Sequence, residues 1–128
     1  MEKQLLQKTT ADNIETFVQK KNRLITMGGV QMIRKQKEQG KLTARERIDF
    51  LFDKETFQEV QLFVKHRSTL FGLAEKEINA DGVITGFGRI NGRVVFAAAQ
   101  DFTSAGGSLG EMHAQKICKV MDMAINAK

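Results

Sequence analysis

Residues 94–117 read VVFAAAQDFTSAGGSLGEMHAQKI and contain the pattern that decides the fold. The run from Val94 to Ala99 is apolar throughout, which is typical of a strand covered on both faces in an α/β protein. A glycine-containing turn follows, and Ser108 with Glu111 predicts a capping box at the start of a helix. Buried strand, turn and capped helix in this order predict the first part of a βαβ unit and hence an α/β fold.

The segments before this unit predict further strands. Two runs of β type, residues 82–90 and 93–99, are joined by Asn91-Gly92. This dipeptide favours a type I′ hairpin, because both central residues of that turn need a positive φ. A shorter strand is predicted over residues 57–64, followed by a polar loop.

Three helices are predicted before the strands. Residues 11–26 have apolar side chains at helical spacing, and Asp12 is the predicted N-cap. A second, shorter helix is predicted over residues 30–38. Thr43 and Glu46 form the pattern of a capping box, which predicts the start of a third helix.

The charge of the chain divides it into two parts. Its 128 residues have a formal net charge of +5, and the whole excess lies in residues 1–54. We therefore predict a basic helical arm over residues 1–54 and the start of an α/β domain over residues 55–128. A basic face of this kind can meet nucleic acid, anionic lipid or a polyphosphate cofactor. An ordinary solvated helix surface has the same pattern, so charge alone leaves the choice open.

Composition excludes several classes of site. A single cysteine, Cys118, excludes an intrachain disulfide and a cysteine-rich zinc site, and we interpret it as a buried thiol. The two histidines would need carboxylates to complete a metal site, so no metal is predicted. Nine Phe are the only aromatic residues. Several, such as Phe50, Phe52 and Phe63, lie in apolar segments that indicate core, which argues against a base-stacking platform and a nucleic-acid partner.

Two further patterns concern the context of the chain. The sequence contains no apolar run of about 18 residues and no secretory leader, which predicts a cytoplasmic protein. The predicted βαβ unit lacks its second parallel strand before Lys128. We therefore expect an N-terminal portion of a longer protein.

Four sequence blocks carry a resemblance to a known family. They are GKLTARERI (residues 40–48) followed by FLFD, VKHRSTLFG (64–72), ADGVITGFGRINGR (80–93) and QDFTSAGGSLGEMHAQKI (100–117). These blocks resemble the carboxyltransferase subunit of biotin-dependent acyl-CoA carboxylases and decarboxylases. Within that family the chain is most similar to the propionyl-CoA carboxylase, methylmalonyl-CoA decarboxylase and transcarboxylase branch.

The resemblance implies a fold, an activity and partners. The fold would be the N-terminal part of a crotonase-like α/β superhelix, preceded by the helical arm. The activity would be transfer of a carboxyl group between carboxybiotin and propionyl- or methylmalonyl-CoA, or decarboxylation in reverse. Biotin would be carried on a partner protein or domain. The partners would be a biotin carboxyl carrier, with biotin carboxylase or membrane decarboxylase subunits, and further copies of the full-length subunit. In a sodium-pumping decarboxylase the protein would lie at the membrane periphery.

The same resemblance assigns candidate site residues. The oxyanion-hole turns of the family lie further along the chain, so no catalytic residue is assigned and this part alone is expected to be inactive. The candidates for the border of an acyl-CoA pocket all belong to the turn after the apolar run: Phe102, Thr103, Ser104, Gly106, Gly107 and Ser108. The candidates for phosphate or subunit contacts all belong to the basic arm: Arg34, Lys37, Lys41 and Arg45.

Each assignment has an alternative. The glycine-containing turn is also what a tight strand-to-helix connection needs, and the basic side chains can form surface ion pairs worth roughly 0–1 kcal/mol each. For the whole chain, the alternative to an enzyme part is a small non-catalytic assembly module, or one that binds RNA or an acidic partner.

Overall fold

The computed structural model describes residues 9–128. Its helices and strands, in chain order, are α1 (Thr10–Ile25), α2 (Val30–Glu38), α3 (Ala44–Leu51), β1 (Gln58–Val60), β2 (Val83–Ile90), β3 (Arg93–Gln100) and α4 (Glu111–Ala127). The three strands form one antiparallel sheet in the order β1-β2-β3. Helices α3 and α4 both pack against β2 and β3. None of the helices in residues 9–128 combines the length and apolarity needed to span a bilayer.

Of the two helix caps predicted in the arm, the one at α3 is present and the one at α1 is different. Thr43 and Glu46 form the predicted capping box at the start of α3. At α1 the predicted N-cap is wrong, because Thr9 caps this helix and Asp12 is its reciprocal partner three residues on. The side-chain and backbone hydrogen bonds from Thr9 hold the pKa of the Asp12 carboxyl below its usual value. Thr9 and Asp12 thus form a second capping box that the apolar pattern of the helix did not indicate.

The hairpin is confirmed, whereas the prediction that its second strand is covered on both faces is wrong for the part described. Asn91 and Gly92 have φ values of 50° and 78°, as a type I′ turn requires. Strand β2 is the buried one, because it is the central strand of the sheet and α3 and α4 pack against it. Strand β3 is only partly covered, and Val94 is 55% exposed. Among residues 9–128 all strand pairs are antiparallel, so the predicted parallel unit is not formed within the part described.

Strand β1 is shorter than predicted. It covers only Gln58–Val60, because Gln61 has a φ of 60° and turns the chain out of the extended conformation. Thr85 of β2 donates a hydrogen bond of 3.0 Å to the carbonyl of Val60, which fixes the end of the strand. The segment from Gln61 to Ile78 then contains no further strand.

One hydrophobic core joins the arm to the sheet. Met27 and Ile48 of the arm lie in the same buried cluster as Leu62 and Ile84. The division into residues 1–54 and 55–128, which was based on charge and predicted secondary structure, therefore stays a prediction.

The predicted core aromatics divide into two groups. Phe52 is buried and its ring lies 5.0 Å from the ring of Phe57. Phe50, two residues earlier on α3, is 88% exposed, and Phe63 is also exposed. The prediction of core was wrong for Phe50 and Phe63. For Phe50 the reason is helical geometry, which points residues two apart to different faces.

Candidate functional site

The turn after β3 is held by a buried carboxylate. The Asp101 side chain accepts hydrogen bonds from the Thr103 amide, at 2.8 Å, and from the Thr103 hydroxyl. The Asp101 amide donates to the carbonyl of Gly82 at 2.9 Å, which ties the turn to the start of β2. Asp101 therefore orients the turn, which is the structural role that a polar residue at a strand end can have.

The arm meets this turn at a glycine. The Gly28 amide, in the connection between α1 and α2, donates to the Thr103 hydroxyl at 3.3 Å. A Cβ atom at position 28 would lie 1.8 Å from the Thr103 carbonyl oxygen. Only glycine permits this approach, so the connection and the turn are in direct backbone contact.

The candidate residues of the turn separate into three places. Phe102, Gly106 and Gly107 line a cleft of about 480 Å³. Thr103 and Ser104 are buried beneath it and form the inside of the turn. Ser108 lines a different, smaller cleft beside the start of α4.

The cleft brings part of the basic arm to the turn. Lys41 and Arg47 line it together with Leu42 and the three turn residues just named. Its remaining lining residues are Gln36, Ala44 and Gln100, so the residues that line it include no carboxylate. Arg47 was not among the predicted contacts. The sequence feature that could have identified Arg47 is its position on α3, three residues after Ala44. Residues three apart on a helix lie on one face, so Arg47 and Ala44 face the same side.

The other predicted cations are engaged within the chain. Arg34 pairs with Glu38 at 3.0 Å, and Lys37 pairs with Glu46. The ion pair with Lys37, together with the hydrogen bond from the Thr43 amide, lowers the pKa of the Glu46 carboxyl. The Lys37–Glu46 pair joins α2 to α3, whereas the Arg34–Glu38 pair lies within α2. Together these exposed pairs occupy two of the four predicted phosphate contacts.

Arg45 has a structural role between three elements. Its guanidinium binds both carboxylate oxygens of Glu59, at 2.8 and 3.3 Å, and also donates to the carbonyl of Ile25. This partly buried bidentate pair connects α3 to β1 and to the end of α1. Of the four predicted cations, only Lys41 lines the cleft.

Helix α4 is anchored by polar groups that the sequence patterns did not reveal. The predicted capping box at Ser108 and Glu111 was wrong, because Gly110 is the N-cap and offers no side chain. Asp81 takes over that function, since its carboxylate accepts a hydrogen bond of 2.7 Å from the His113 amide. The His113 ring is fully buried and its Nδ1 lies 2.8 Å from the Asp81 carbonyl oxygen.

Lys116 completes this anchor. Its side chain is fully buried, and Nζ donates to the carbonyls of Ala80, at 2.7 Å, and Val83, at 2.5 Å. Burial lowers the pKa of Lys116 to about 8, against the opposing effect of Glu59 and Asp81. The segment it binds is unusual, because Ala80, Asp81 and Gly82 all have positive φ values.

Cys118 lies on the same helix, but it is exposed. The interpretation as a buried thiol was therefore wrong. Val120 is the buried apolar residue of this part of α4, whereas Met121 and Ile125 are exposed. No group of three potential metal-binding side chains is found among residues 9–128.

The backbone amides of the turn are mostly engaged. The amides of Ser104, Gly107 and Ser108 donate to carbonyls within the turn, and that of Thr103 donates to Asp101. At the start of α4 the Asp81 carboxylate already accepts from the His113 amide, which disfavours a second anion there. The arrangement is therefore suited to contacting a ligand from the side, through Phe102 and the cations of the cleft.

Comparison with known proteins shows which family this chain resembles. Residues 35–128 match the family described as the carboxyl transferase domain. The alpha subunit of methylmalonyl-CoA decarboxylase from Propionigenium modestum is 51% identical over 114 residues, 89% of this chain and 22% of that subunit. The beta chain of propionyl-CoA carboxylase from Cereibacter sphaeroides is 55% identical over 98 residues, 77% of this chain and 19% of that chain.

A solved structure supports the same assignment. Transcarboxylase 12S, a hexamer with methylmalonyl-CoA and methylmalonic acid bound, matches with a TM-score of 0.91 and 43% identity over 95% of this chain and 24% of that chain. The present chain spans about a fifth of the length of the curated relatives named above. The structural match confirms the predicted crotonase-like α/β fold class. The chain belongs to the carboxyl transferase domain family.

Proposed function

We propose that this chain is part of an acyl-CoA carboxyltransferase subunit that moves a carboxyl group between biotin and propionyl- or methylmalonyl-CoA, in either direction. The observation that carries the proposal is the carboxylate-free cleft where Lys41 and Arg47 meet Phe102. This cleft occurs in a chain that is 51% identical to a methylmalonyl-CoA decarboxylase subunit and 55% identical to a propionyl-CoA carboxylase chain. Because both identities are similar, the proposal includes carboxylation and decarboxylation alike.

The part of the subunit described here would bind substrate and leave the chemistry to other residues. Carboxyl transfer to the α-carbon of a thioester develops negative charge on the thioester oxygen, which preorganised backbone amides stabilise. In the turn, the amides of Thr103, Ser104, Gly107 and Ser108 are already engaged. We therefore assign no catalytic residue to this chain, and Lys41 and Phe102 are proposed as acyl-CoA contacts.

Biotin would come from outside this part of the protein. When bound, it supplies the carboxyl group, and its ureido oxygen needs hydrogen-bond donors. The engaged amides of the turn do not fit that requirement, so no residue here is assigned to biotin. The proposed partners are a biotin carboxyl carrier, biotin carboxylase or membrane decarboxylase subunits, and further copies of the full-length subunit. The proposed location is the cytoplasm, or the membrane periphery in a decarboxylase complex.

A chimeric subunit tests the proposal. This chain replaces the 51% identical segment of the Propionigenium modestum decarboxylase subunit. We expect the chimera to decarboxylate methylmalonyl-CoA at a rate within about tenfold of the parent, since the catalytic groups are supplied by the rest of the subunit. The 128-residue chain alone should show no turnover.

The parent subunit, purified and assembled in the same way, is the control for the chimera. A chimera that folds and assembles as the parent does but lacks activity would contradict the proposal. Turnover by the 128-residue chain alone would contradict the assignment of the chemistry to other parts of the subunit.

A further inference from the structure

Helix α1 carries an apolar stripe that the rest of residues 9–128 leaves largely exposed. Ile14, Phe17 and Val18 are 59%, 53% and 46% exposed, and their spacing of three and four residues places them on one face of the helix. No residue from Thr10 to Arg23 is buried, and Leu24 is the buried residue of this helix. The helix is therefore anchored at its C-terminal end, while its apolar face stays open along most of its length.

Phe63 extends this stripe. Its ring is 41% exposed and stacks on the ring of Phe17, with 5.2 Å between the ring centroids. We call the four side chains of Ile14, Phe17, Val18 and Phe63 the α1 patch. A groove of about 940 Å³ lies beside the patch, between α1, α3 and β1, and both Phe17 and Phe63 line it. An exposed apolar patch beside a groove is a surface on which a further helix packs.

We propose that the α1 patch binds the α1 patch of a second copy of this chain, with the two helices antiparallel about a two-fold axis at Val18. This inference goes beyond the proposed function, which includes further copies of the subunit as partners without naming a surface between them. It depends on the charges of α1 and on the groove beside it, and not on carboxyltransferase chemistry.

The charges of α1 select this partner. Its two carboxylates lie in the first half of the helix and its three cations in the second half: Asp12 and Glu15, then Lys20, Lys21 and Arg23. A parallel copy would place like charges together, whereas an antiparallel copy places the acidic half of each helix beside the basic half of the other. A two-fold axis across the helix produces the antiparallel arrangement, because both copies then present the same surface to each other.

Glu15 and Lys21 form the specific pair of this interface. They lie three residues before and three residues after Val18, so a two-fold axis at Val18 brings Glu15 of each copy opposite Lys21 of the other. Lys21 lies about two helical turns after Ile14 and thus borders the same face. Within residues 9–128 neither side chain forms an ion pair, and the Glu15 carboxylate accepts a hydrogen bond from the Gln19 amide at 3.1 Å. Both charges therefore remain available to a partner.

The apolar side chains exposed on α4 lack this specificity. Met121 and Ile125 are 58% and 66% exposed. The charges next to them in the sequence are Lys119 and Asp122, which have opposite signs within one helical turn and favour neither orientation of a partner helix. That face identifies no occupant, whereas the charge order of α1 does.

Sedimentation equilibrium of the 128-residue chain tests the inference. The patch is small beside the roughly 20–30 residues a side of a standard interface, so we expect a weak dimer, formed at about 1 mM chain and dissociated at about 10 μM. Glu15→Lys and Lys21→Glu should each weaken the dimer by roughly tenfold, because the two-fold axis turns two attractive pairs into two repulsive ones. The double variant Glu15→Lys/Lys21→Glu should restore the dimer to within about threefold of the parent chain.

A mixture of the two single variants gives a second measurement. Each variant meets like charges in its own copy and opposite charges in the other variant, so the mixed dimer should form about tenfold more tightly than either variant alone. Lys119→Glu and Met121→Ser are the matched controls on α4, and both should leave the dimer unchanged. All four substituted positions lie on the surface of helices, so circular dichroism should show the parent fold in every variant.

A folded chain that stays monomeric at about 1 mM would overturn the inference. So would a double variant that associates no better than the single ones, or a dimer that Met121→Ser dissociates and Lys21→Glu does not. The activity of the chimera is measured separately. An active chimera together with a chain whose α1 patches do not pair would refute this inference and leave the proposed function standing.

Discussion

Replacement of Gly28 by alanine is expected to lower the free energy of unfolding by about 3 kcal/mol or more. The new Cβ would lie 1.8 Å from the Thr103 carbonyl oxygen and 2.4 Å from its carbon. Both are backbone atoms, so no side-chain rotation relieves the clash, and the arm must separate from the turn. Urea denaturation followed by circular dichroism measures the change.

Gly40→Ala is the control for the Gly28 variant. Gly40 has a φ of +70°, and no atom lies within 4 Å of the position that a Cβ would take, so alanine there introduces backbone strain without a clash. That strain costs about 1 kcal/mol. Equal stabilities of the two variants would contradict the close backbone contact between the arm and the turn. We also expect the Gly28 variant to lose coenzyme A binding, because Phe102 belongs to the displaced turn.

Replacement of Lys116 by methionine is expected to destabilise the chain by roughly 2–4 kcal/mol at pH 7. Methionine fills a similar volume but leaves the buried carbonyls of Ala80 and Val83 without their donor. Lys119→Met is the matched control on the same helix, where the lysine is exposed. Chemical denaturation should separate the two variants clearly, and equal stabilities would contradict the anchoring role of Lys116.

The pH dependence gives this prediction a second measurement. The pKa of Lys116 is lowered to about 8 in the folded chain, from 10.5 for an ordinary lysine. Between these values the unfolded chain binds the proton and the folded chain has released it, so the free energy of unfolding rises with pH. Glu59 and Asp81 oppose the lowering of the pKa, and Arg45 reinforces it.

The difference between the parent chain and Lys116→Met isolates this effect, because the other titrating groups are common to both. We expect the stability of the parent relative to the variant to increase from pH 8 to pH 10.5. A difference that is flat or that decreases across this interval would contradict a buried lysine with a lowered pKa.

Local patterns predicted the elements that local interactions determine. The hairpin at Asn91-Gly92 and the capping box of Thr43 and Glu46 each depend on a few neighbouring residues, and both are present. The resemblance of the sequence blocks to carboxyltransferases predicted the family and the fold class. The same blocks include the turn that carries Phe102.

Contacts between distant residues account for the remaining differences. The start of α4 is capped by Asp81, which lies 32 residues before His113 in the sequence. No short-range pattern indicates such a partner, and the pattern at Ser108 wrongly predicted that this serine caps the helix. Lys116 was overlooked for a similar reason, since a lysine on an amphipathic helix is expected at the surface.

The cleft also depends on contacts between distant residues, which local sequence patterns do not predict. The sequence indicated a basic arm and a glycine-containing turn as separate features. Their meeting depends on the contact between Gly28 and Thr103, which are 75 residues apart. That packing selects Lys41 and Arg47 from the many cations of the arm, while Glu59 engages Arg45 elsewhere.

The most direct test of the central claim is the Michaelis constant of the chimeric subunit for methylmalonyl-CoA. The claim is that this chain binds the acyl-CoA and contributes no catalytic group. In the double variant Lys41→Gln/Arg47→Gln we predict a KM increased by roughly 50- to 100-fold, with kcat within about threefold of the unmodified chimera. An unchanged KM, or a large fall in kcat at unchanged KM, would contradict the account.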